Sequence, residues 1–321
     1  MESPILSRSF VISNGRCGST LLSDLIAEQR DTLSVQEFFM SVPPGAKTDD
    51  TISGAEYWAM LSSPKPELTT LVRIGLAPKE MRYPENGRWA GNLEQLPRIL
   101  AITLSKISSD PDGLFDLLAE QVPDFPQQSV GAHHQMFLDL LTRLTGKKRW
   151  VERSGGSSQV APYVLRAFPT ARVVHLTRNW QDSAVSMSKH PSFQLIQLRV
   201  EFLRVAGFDP FRRKPEHVVP AELERFLPER LTAEALRERS QQMSRYLALC
   251  AFLEHQAEQA LVDVPPQHLL EMSYEDLLEE PVEQLGRLGQ FLEFEDWQDW
   301  ANRVAGRVRA PSSTSRVPAP A

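Results

Sequence analysis

The fold class is decided near the N-terminus, by the stretch Phe10-Val11-Ile12-Ser13-Asn14-Gly15-Arg16-Cys17-Gly18-Ser19-Thr20-Leu21-Leu22. Its first three residues form a short apolar run, which predicts a buried strand. Residues 13–15 are typical of a tight turn, and apolar side chains then recur at helical spacing, at Leu21, Leu22, Leu25 and Ile26. The stretch therefore predicts a strand, a turn and a helix in direct succession.

The turn between this strand and helix has the layout of an anion-binding loop. A glycine-containing turn before a helix aims free backbone N–H groups and the positive end of the helix dipole at one point. Arg16 adds a permanent positive charge, and Ser19 and Thr20 place hydroxyls on the first helical turn. Small residues before a helix are also typical of an ordinary N-cap, so a second feature is needed to identify an anion site.

The rest of the chain continues to alternate between strands and helices. Further strands are predicted at residues 33–35, 149–151, 172–176 and 268–272. Helices are predicted at residues 138–144, 162–168, 233–261 and 282–291, whereas residues 43–97 predict loops with short helices. Because such alternation favours parallel strands joined by right-handed crossovers, we predict an α/β fold with a mostly parallel central sheet flanked by helices.

Composition and charge narrow the class of protein. The 321-residue chain has 41% hydrophobic side chains, enough for a large core, and its net charge of -6 argues against broad nucleic-acid binding. Cys17 and Cys250 are too few for a disulfide scaffold and lack metal-ligand spacing. The first eight residues lack a basic segment followed by an apolar run, and no stretch has the uncharged length of a membrane span. We therefore expect a cytoplasmic protein.

A kinase or NTPase of the P-loop type is the nearest rival interpretation. In those proteins the loop carries Lys before Ser or Thr, and an acidic residue at the end of a buried strand helps to hold a metal ion. Here Arg16 is the loop cation, and the apolar run at residues 172–176 leads to Arg178 instead of an acid. We therefore expect cationic side chains to bind phosphate directly, without a metal ion.

Three segments together resemble the sulfotransferases that use 3′-phosphoadenosine 5′-phosphosulfate (PAPS). Residues 15–22 look like the loop that binds the donor's 5′-phosphosulfate, and Arg178 and Ser186 resemble the pair that binds its 3′-phosphate. Residues 272–277, followed by Pro281 and a helix, are similar to the C-terminal strand and helix of many bacterial members. The resemblance implies a P-loop-like fold and transfer of a sulfuryl group from PAPS to an acceptor hydroxyl, releasing adenosine 3′,5′-bisphosphate (PAP).

The resemblance also assigns roles to individual residues. Arg16 stands where the best-known cytosolic members have Lys; because Arg rarely gives up its proton, we expect Arg16 to stabilise charge on the leaving group and not to act as an acid. Eight residues of continuous helix would separate Arg178 from Ser186 by roughly 12 Å, so the chain must curl for both to reach one phosphate. Cys17 is assigned no chemistry. The donor-binding residues implied are Gly15, Arg16, Cys17, Gly18, Ser19, Thr20, Arg178, Ser186, Arg307 and Arg309.

The acceptor must lose a proton during transfer, so the site needs a base. The His that cytosolic relatives use has no counterpart, because the matching position falls near Gly155. Several bacterial relatives use a Glu shortly after the second strand, and Glu37 stands there. We expect the neighbouring Phe38 and Phe39 to desolvate its carboxylate and raise its pKa. Glu37 is the first candidate for the base.

Other candidates for the base are Glu152, which can instead pair with Arg153, and the adjacent His133 and His134, which we place just before a helix. Arg153 and Ser154 resemble the strand-end pair that lies near the transferred sulfate in the family. That resemblance adds Arg153 to the predicted catalytic residues.

For the domain limits, we predict a single catalytic domain over residues 1–310, with helical insertions, and a polar tail over residues 311–321. The resemblance implies that the basic C-terminal segment, including Arg307, Arg309 and residues 312–316, closes over the nucleotide. A solvated tail is the alternative.

No motif identifies the acceptor, which we expect to be a small-molecule or carrier-bound hydroxyl compound. A small apolar molecule, a carrier-bound acyl chain and a sugar all stay open. The alternative functions are a nucleotide or small-molecule kinase and a nucleotide-binding relative without activity.

Overall fold

The main sheet of the protein consists of parallel strands. A computed structural model describes residues 4–42 and 47–309. Their strands are β1 (Ser7–Ser13), β2 (Thr32–Gln36), β3 (Thr51–Ile52), β4 (Gln128–Ser129), β5 (Arg149–Arg153), β6 (Arg172–Thr177) and β7 (Leu269–Ser273). Five form one sheet in the order β2-β5-β1-β6-β7 with every pairing parallel, and β3 pairs with β4 antiparallel. The predicted α/β class with a mostly parallel sheet is confirmed.

Helices connect the strands and cover the sheet. They are α1 (Ser19–Ile26), α2 (Phe38–Ser41), α3 (Gly54–Ser62), α4 (Pro66–Arg73), α5 (Ser105–Ile107), α6 (Pro111–Gln121), α7 (Val130–Leu144), α8 (Ala161–Ala167), α9 (Trp180–Ser188), α10 (Pro191–Ala206), α11 (Ala233–Arg239), α12 (Met243–Leu261), α13 (Tyr274–Glu279), α14 (Pro281–Phe291) and α15 (Trp297–Ala305). In the described part of the chain, no helix combines the length and apolar character that crossing a bilayer requires.

Two helices differ from the sequence-based prediction. α7 begins well before residue 138, because the hydroxyl of Ser129 caps it by accepting a hydrogen bond from the Ala132 amide at 3.2 Å. His133 and His134 therefore lie inside α7, and the prediction that they precede a helix is wrong. The helical stretch predicted at residues 233–261 is divided into α11 and α12, because Gln242 has an extended backbone.

The observed strands and helices do not test the predicted domain limits. A single catalytic domain over residues 1–310 stays a prediction. The predicted tail at residues 311–321 lies outside the described residues.

β1 lies at the centre of the sheet, and both of its faces are buried. Because side chains alternate along a strand, Phe10 and Ile12 point into one apolar cluster and Val11 into another. The first cluster is completed by α7 and α8, and the second by α1, α14 and α15. Burial of each large apolar side chain contributes about 1.5–3 kcal/mol, so the two clusters fix the sheet firmly between its helices.

Parallel strands place their carboxyl ends at one edge of the sheet, where ligands of α/β proteins bind. The register keeps these ends level, since Arg153 of β5 lies opposite Val11 of β1 on one side and Gln36 of β2 on the other. This edge carries the loop after β1, then Glu37, Arg153, Arg178 and Tyr274. The segments that the sequence analysis selected therefore meet at one edge.

Candidate active site

A cavity of about 490 Å³ opens at the carboxyl edge of the sheet. The loop after β1 lines it with Gly15, Arg16, Ser19 and Thr20, and side chains from α2, α4, α8 and α10 form other walls. Glu37 and Arg153 also line it. The structure thus brings the predicted anion loop, the first candidate for the base and the strand-end Arg to one cavity.

The loop after β1 has a left-handed backbone at three positions. The φ angle is +82° at Gly15, +60° at Arg16 and +83° at Gly18. A Cβ atom on Gly15 would lie 2.7 Å from the ring of Phe193 and 3.1 Å from the backbone nitrogen of Gly156. Glycine is therefore required at position 15 by its backbone and its surroundings. Left-handed residues in such a turn aim backbone N–H groups at one point, which is the geometry of an anion nest.

The N-terminus of α1 follows this loop directly. Its first turn contains no acid, and Gly18 at the N-cap provides no side-chain cap. The amide of Leu22 donates to the carbonyl oxygen of Gly18 at 3.1 Å. Among the described residues, the amides of Ser19 and Thr20 have no acceptor. The positive end of the helix is therefore available to an anionic ligand.

Arg178 and Ser186 both contact Arg16, so both lie next to the loop after β1. The Nη1 of Arg178 donates to the Arg16 carbonyl oxygen at 3.0 Å, and the Nε of Arg16 donates to the Ser186 hydroxyl at 3.1 Å. The chain curls because Asn179 caps α9, its side chain accepting hydrogen bonds from two backbone amides of the first turn. The Nε of Arg178 is buried and has no hydrogen-bond partner within the described ranges. One buried donor is thus free for a ligand beside the loop.

Tyr274 joins the loop to Arg178. A Cβ atom on Gly18 would lie 2.2 Å from the Tyr274 ring, and the guanidinium carbon of Arg178 lies 4.8 Å from the centre of the same ring. This cation–π contact and the packing on Gly18 orient Arg178 relative to the loop. Tyr274 lies in the segment at residues 272–277 that resembles many bacterial sulfotransferases, but the resemblance assigns it no role.

Glu80 and His190 complete the surroundings of Arg16. The Nη1 of Arg16 lies 3.1 Å from one carboxylate oxygen of Glu80, and the Nε2 of His190 lies 3.1 Å from the other. The hydrogen bond from His190, together with the charge of Arg16, lowers the pKa of Glu80 to about 2 against the opposing effect of burial. Both residues line the cavity. Neither residue was predicted from the sequence, because no local pattern links Glu80 or His190 to a loop so distant along the chain.

Glu37 lies where β2 meets α2, with its carboxylate in the cavity. It is 8% exposed and has a left-handed backbone, with φ at +60°. The Gly155 amide donates to its two carboxylate oxygens at 3.1 and 3.0 Å, and Arg153 forms an ion pair with it. The same Arg153 donates to the side-chain oxygen of Gln36 at 2.8 Å. Arg153 therefore pairs with Glu37, and the alternative pairing with Glu152 is not formed.

Sequence comparison identifies the protein family. Residues 9–299 match the sulfotransferase family. The chain belongs to that family. A comparison with curated protein sequences gave no match.

Several solved sulfotransferase structures resemble this sulfotransferase at low sequence identity. STF9 from Mycobacterium avium is 13% identical with a TM-score of 0.46, and the match covers 96% of this chain and 70% of that one. A sulfotransferase domain from the curacin biosynthetic pathway is 15% identical with a TM-score of 0.44, covering 91% and 77%. Mouse SULT7A1, solved in complex with PAP, is 12% identical with a TM-score of 0.34, covering 93% and 64%.

Glu152, the second candidate for the base, lies behind the cavity wall of this sulfotransferase. One of its carboxylate oxygens accepts hydrogen bonds from the Ser154 hydroxyl at 2.6 Å and from the Phe38 amide at 3.2 Å. Burial raises the pKa of Glu152 to about 8, helped by the nearby charge of Glu37. Glu152 is not among the residues that line the cavity.

His133 and His134 are also buried behind the wall. The Nε2 of His133 lies 2.9 Å from the carbonyl oxygen of Ile52. His134 lies between two tyrosine hydroxyls, 2.8 Å from that of Tyr57 and 2.6 Å from that of Tyr163, and burial lowers its pKa to about 3. Of these four side chains only Tyr163 reaches the cavity. The histidines are thus placed to support the wall.

Three further predicted residues lie away from the cavity. The thiol of Cys17 packs in the apolar cluster under α1, so only its backbone can face a ligand. Arg307 forms an ion pair with Glu28, just beyond the end of α1 that is remote from the loop, and Arg309 is exposed. The structure therefore does not bring Arg307 to the loop, and residues 312–316 lie outside the described residues.

Proposed function

We propose that this sulfotransferase transfers a sulfuryl group from PAPS to the hydroxyl of a small-molecule or carrier-bound acceptor and releases PAP. The contact of Arg16 with both Arg178 and Ser186 carries the proposal. It joins an anion loop to a second cationic group, which suits a nucleotide with phosphate at both its 5′ and 3′ positions.

The residues present fit such a donor. Free amides at the N-terminus of α1 would hold the 5′-phosphosulfate, and the unpartnered Nε of Arg178 with the Ser186 hydroxyl would hold the 3′-phosphate. Arg178 follows β6 at the position where a metal-dependent NTPase would have an acid. This cation disfavours the kinase alternative.

Arg16 would stabilise the leaving group. The bond between sulfur and the bridging phosphate oxygen breaks during transfer, and negative charge develops on that oxygen. Arg16 lines the cavity and carries a permanent charge that would offset the charge on this oxygen. To reach the donor, its Nη1 would exchange the carboxylate of Glu80 for the phosphate.

Glu37 would accept the proton of the attacking hydroxyl. A carboxylate offers about four lone-pair positions, and the contacts with Arg153 and Gly155 leave room for one more hydrogen bond. These two contacts fix the direction of the carboxylate inside the cavity. Arg153 would thus position the base while remaining next to the transferred group.

Ligand-dependent thermal unfolding tests the proposal against its alternatives. PAP should raise the unfolding temperature in the absence of metal, since a ligand at a hundred times its Kd adds about 2.7 kcal/mol. Stabilisation by ADP with Mg²⁺ alone would favour a kinase. Stabilisation by PAP, without consumption of PAPS over a broad panel of hydroxyl compounds, would favour the binding protein without activity.

A further inference from the structure

The wall of the cavity beyond Glu37 combines an apolar surface with two cations. The apolar part is formed by α2, α4 and α10 together with residues just before α5, among them Met40, Leu68, Ile102 and Ile196. Lys65 and Arg98 stand within this surface and line the cavity. Charges on an apolar wall are costly unless they are paired, so their partners matter.

Lys65 precedes α4 and has no acidic partner in the described part of the chain. Its Nζ donates to the backbone carbonyl oxygen of Met40 at 2.6 Å. Glu67 and Glu37 are near enough to influence its charge, yet no carboxylate of the described residues lies within ion-pair distance of its Nζ. Burial lowers the pKa of Lys65, so its charged form is incompletely compensated.

Arg98, like Lys65, is bonded to backbone carbonyl oxygens and not to a carboxylate of the described residues. It donates from Nε to the carbonyl oxygen of Ser63 at 3.1 Å and from Nη2 to that of Pro64 at 2.8 Å. Its side chain forms no ion pair with any carboxylate in the ranges 4–42 and 47–309, and the residue is only 9% exposed. Backbone carbonyls orient the guanidinium but do not neutralise it.

The carboxylates around the cavity are engaged elsewhere. Glu37 pairs with Arg153, and Glu80 with Arg16 and His190. Glu67 lies 3.3 Å from Arg199, which also pairs with Asp209. Two acids therefore share Arg199, and none of these carboxylates forms an ion pair with Lys65 or Arg98. Two cations on an apolar wall without carboxylate partners suit an anionic group on the ligand, such as a carboxylate.

We propose that Lys65 and Arg98 bind a carboxylate of the acceptor, and that the acceptor is a hydroxy acid with an aliphatic body. This proposal rests on the proposed function, since it assigns the hydroxyl to Glu37 and the carboxylate to Lys65 and Arg98. The cavity volume of about 490 Å³ is typical of a site for a small organic molecule. Two of the acceptors left open by the sequence, a sugar and a small apolar molecule, lack such a carboxylate.

Matched acceptors test the proposal. Hydroxy fatty acids of several chain lengths are compared with their methyl esters. Kinetic assays with PAPS give kcat/KM for each compound, and calorimetry gives its affinity for the protein saturated with PAP. The acid should be favoured by at least about tenfold, the effect of one charge-assisted hydrogen bond. Lys65→Met should lose this preference, and Lys65→Arg should retain it.

Lys148→Met is the matched control, because Lys148 is exposed and pairs with Asp31 at 3.1 Å away from the cavity. It should leave the preference for the acid unchanged. Equal affinity of acid and ester across the chain lengths, including no binding of either, would overturn the proposal, as would an intact preference in Lys65→Met. Failure of PAP to bind at all would instead reject the proposed function.

Discussion

The Nε of Arg16 donates a hydrogen bond to the hydroxyl of Ser186 at 3.1 Å, across a separation of 170 residues. The bond joins the loop after β1 to α9, and the contact of Arg178 with the Arg16 carbonyl oxygen closes the group. The two predicted anion-binding segments are therefore parts of one surface. A ligand that contacts both segments would be recognised by its length and by the charges at its two ends.

Replacement of Arg178 should weaken the binding of PAP much more than that of ADP. Arg178→Met removes the unpartnered Nε and the charge, while its side chain can still pack on Tyr274. The loss of one or two charge-assisted hydrogen bonds predicts a rise in the Kd for PAP of roughly tenfold to several hundredfold. Isothermal titration calorimetry of the two nucleotides measures this difference.

Arg172→Met provides the control for this variant. Arg172 begins the same strand, β6, at the opposite edge of the sheet, and pairs with Glu293. Its replacement should leave both affinities within about twofold of the wild type, as expected for a surface ion pair. An equal loss of PAP and ADP affinity in Arg178→Met would show that Arg178 does not recognise the 3′-phosphate.

Glu37→Gln should abolish most of the turnover without changing PAP affinity. The amide keeps the shape of the carboxylate but cannot accept a proton, and a general base contributes a factor of about 10² to 10⁴ in rate. Glu152→Gln is the comparison, because Glu152 does not line the cavity. Near-normal turnover in Glu37→Gln, with a large loss in Glu152→Gln, would reverse the two assignments.

Glu152 should make the protein less stable as the pH rises. Its pKa is raised to about 8 in the folded state from 4.5, so the folded state holds a proton that the unfolded chain releases. Stability from this group is complete below about pH 4.5 and falls until about pH 8, by on the order of 5 kcal/mol. Urea unfolding of wild type and Glu152→Gln across this range measures the difference. Parallel pH profiles would contradict the prediction.

Gly18→Ala should destabilise the protein more than Gly75→Ala. Both positions have positive φ, +83° and +73°, so each alanine is expected to cost about 1 kcal/mol in backbone strain. At Gly18 the new methyl would also meet the Tyr274 ring at 2.2 Å, whereas no atom lies within 4 Å at Gly75. Overpacking adds about 1–3 kcal/mol. Thermal unfolding compares the variants; equal losses would mean that the Tyr274 ring moves aside freely.

Local patterns were enough to predict the elements that form the sheet. The apolar run at residues 10–12 and the spacing of Leu21, Leu22 and Leu25 correspond to β1 and α1, because buried strands and amphipathic helices have periods visible in short windows. The helix boundary at Val130 was missed. It depends on a single capping hydroxyl, which the sequence offers at many positions.

The sequence by itself determined the α/β class. It also predicted an anion loop at residues 15–20, and its resemblance to a known family predicted a common site for Arg178, Ser186 and Glu37. Tertiary structure alone decided which carboxylate faces the cavity, since Glu37 lines it and Glu152 does not. It alone also brought Glu80 to Arg16, and Lys65 to the wall of the cavity. The physical reason is that a strand or turn forms from neighbours in sequence, whereas charge pairing across a cavity depends on contacts between distant segments.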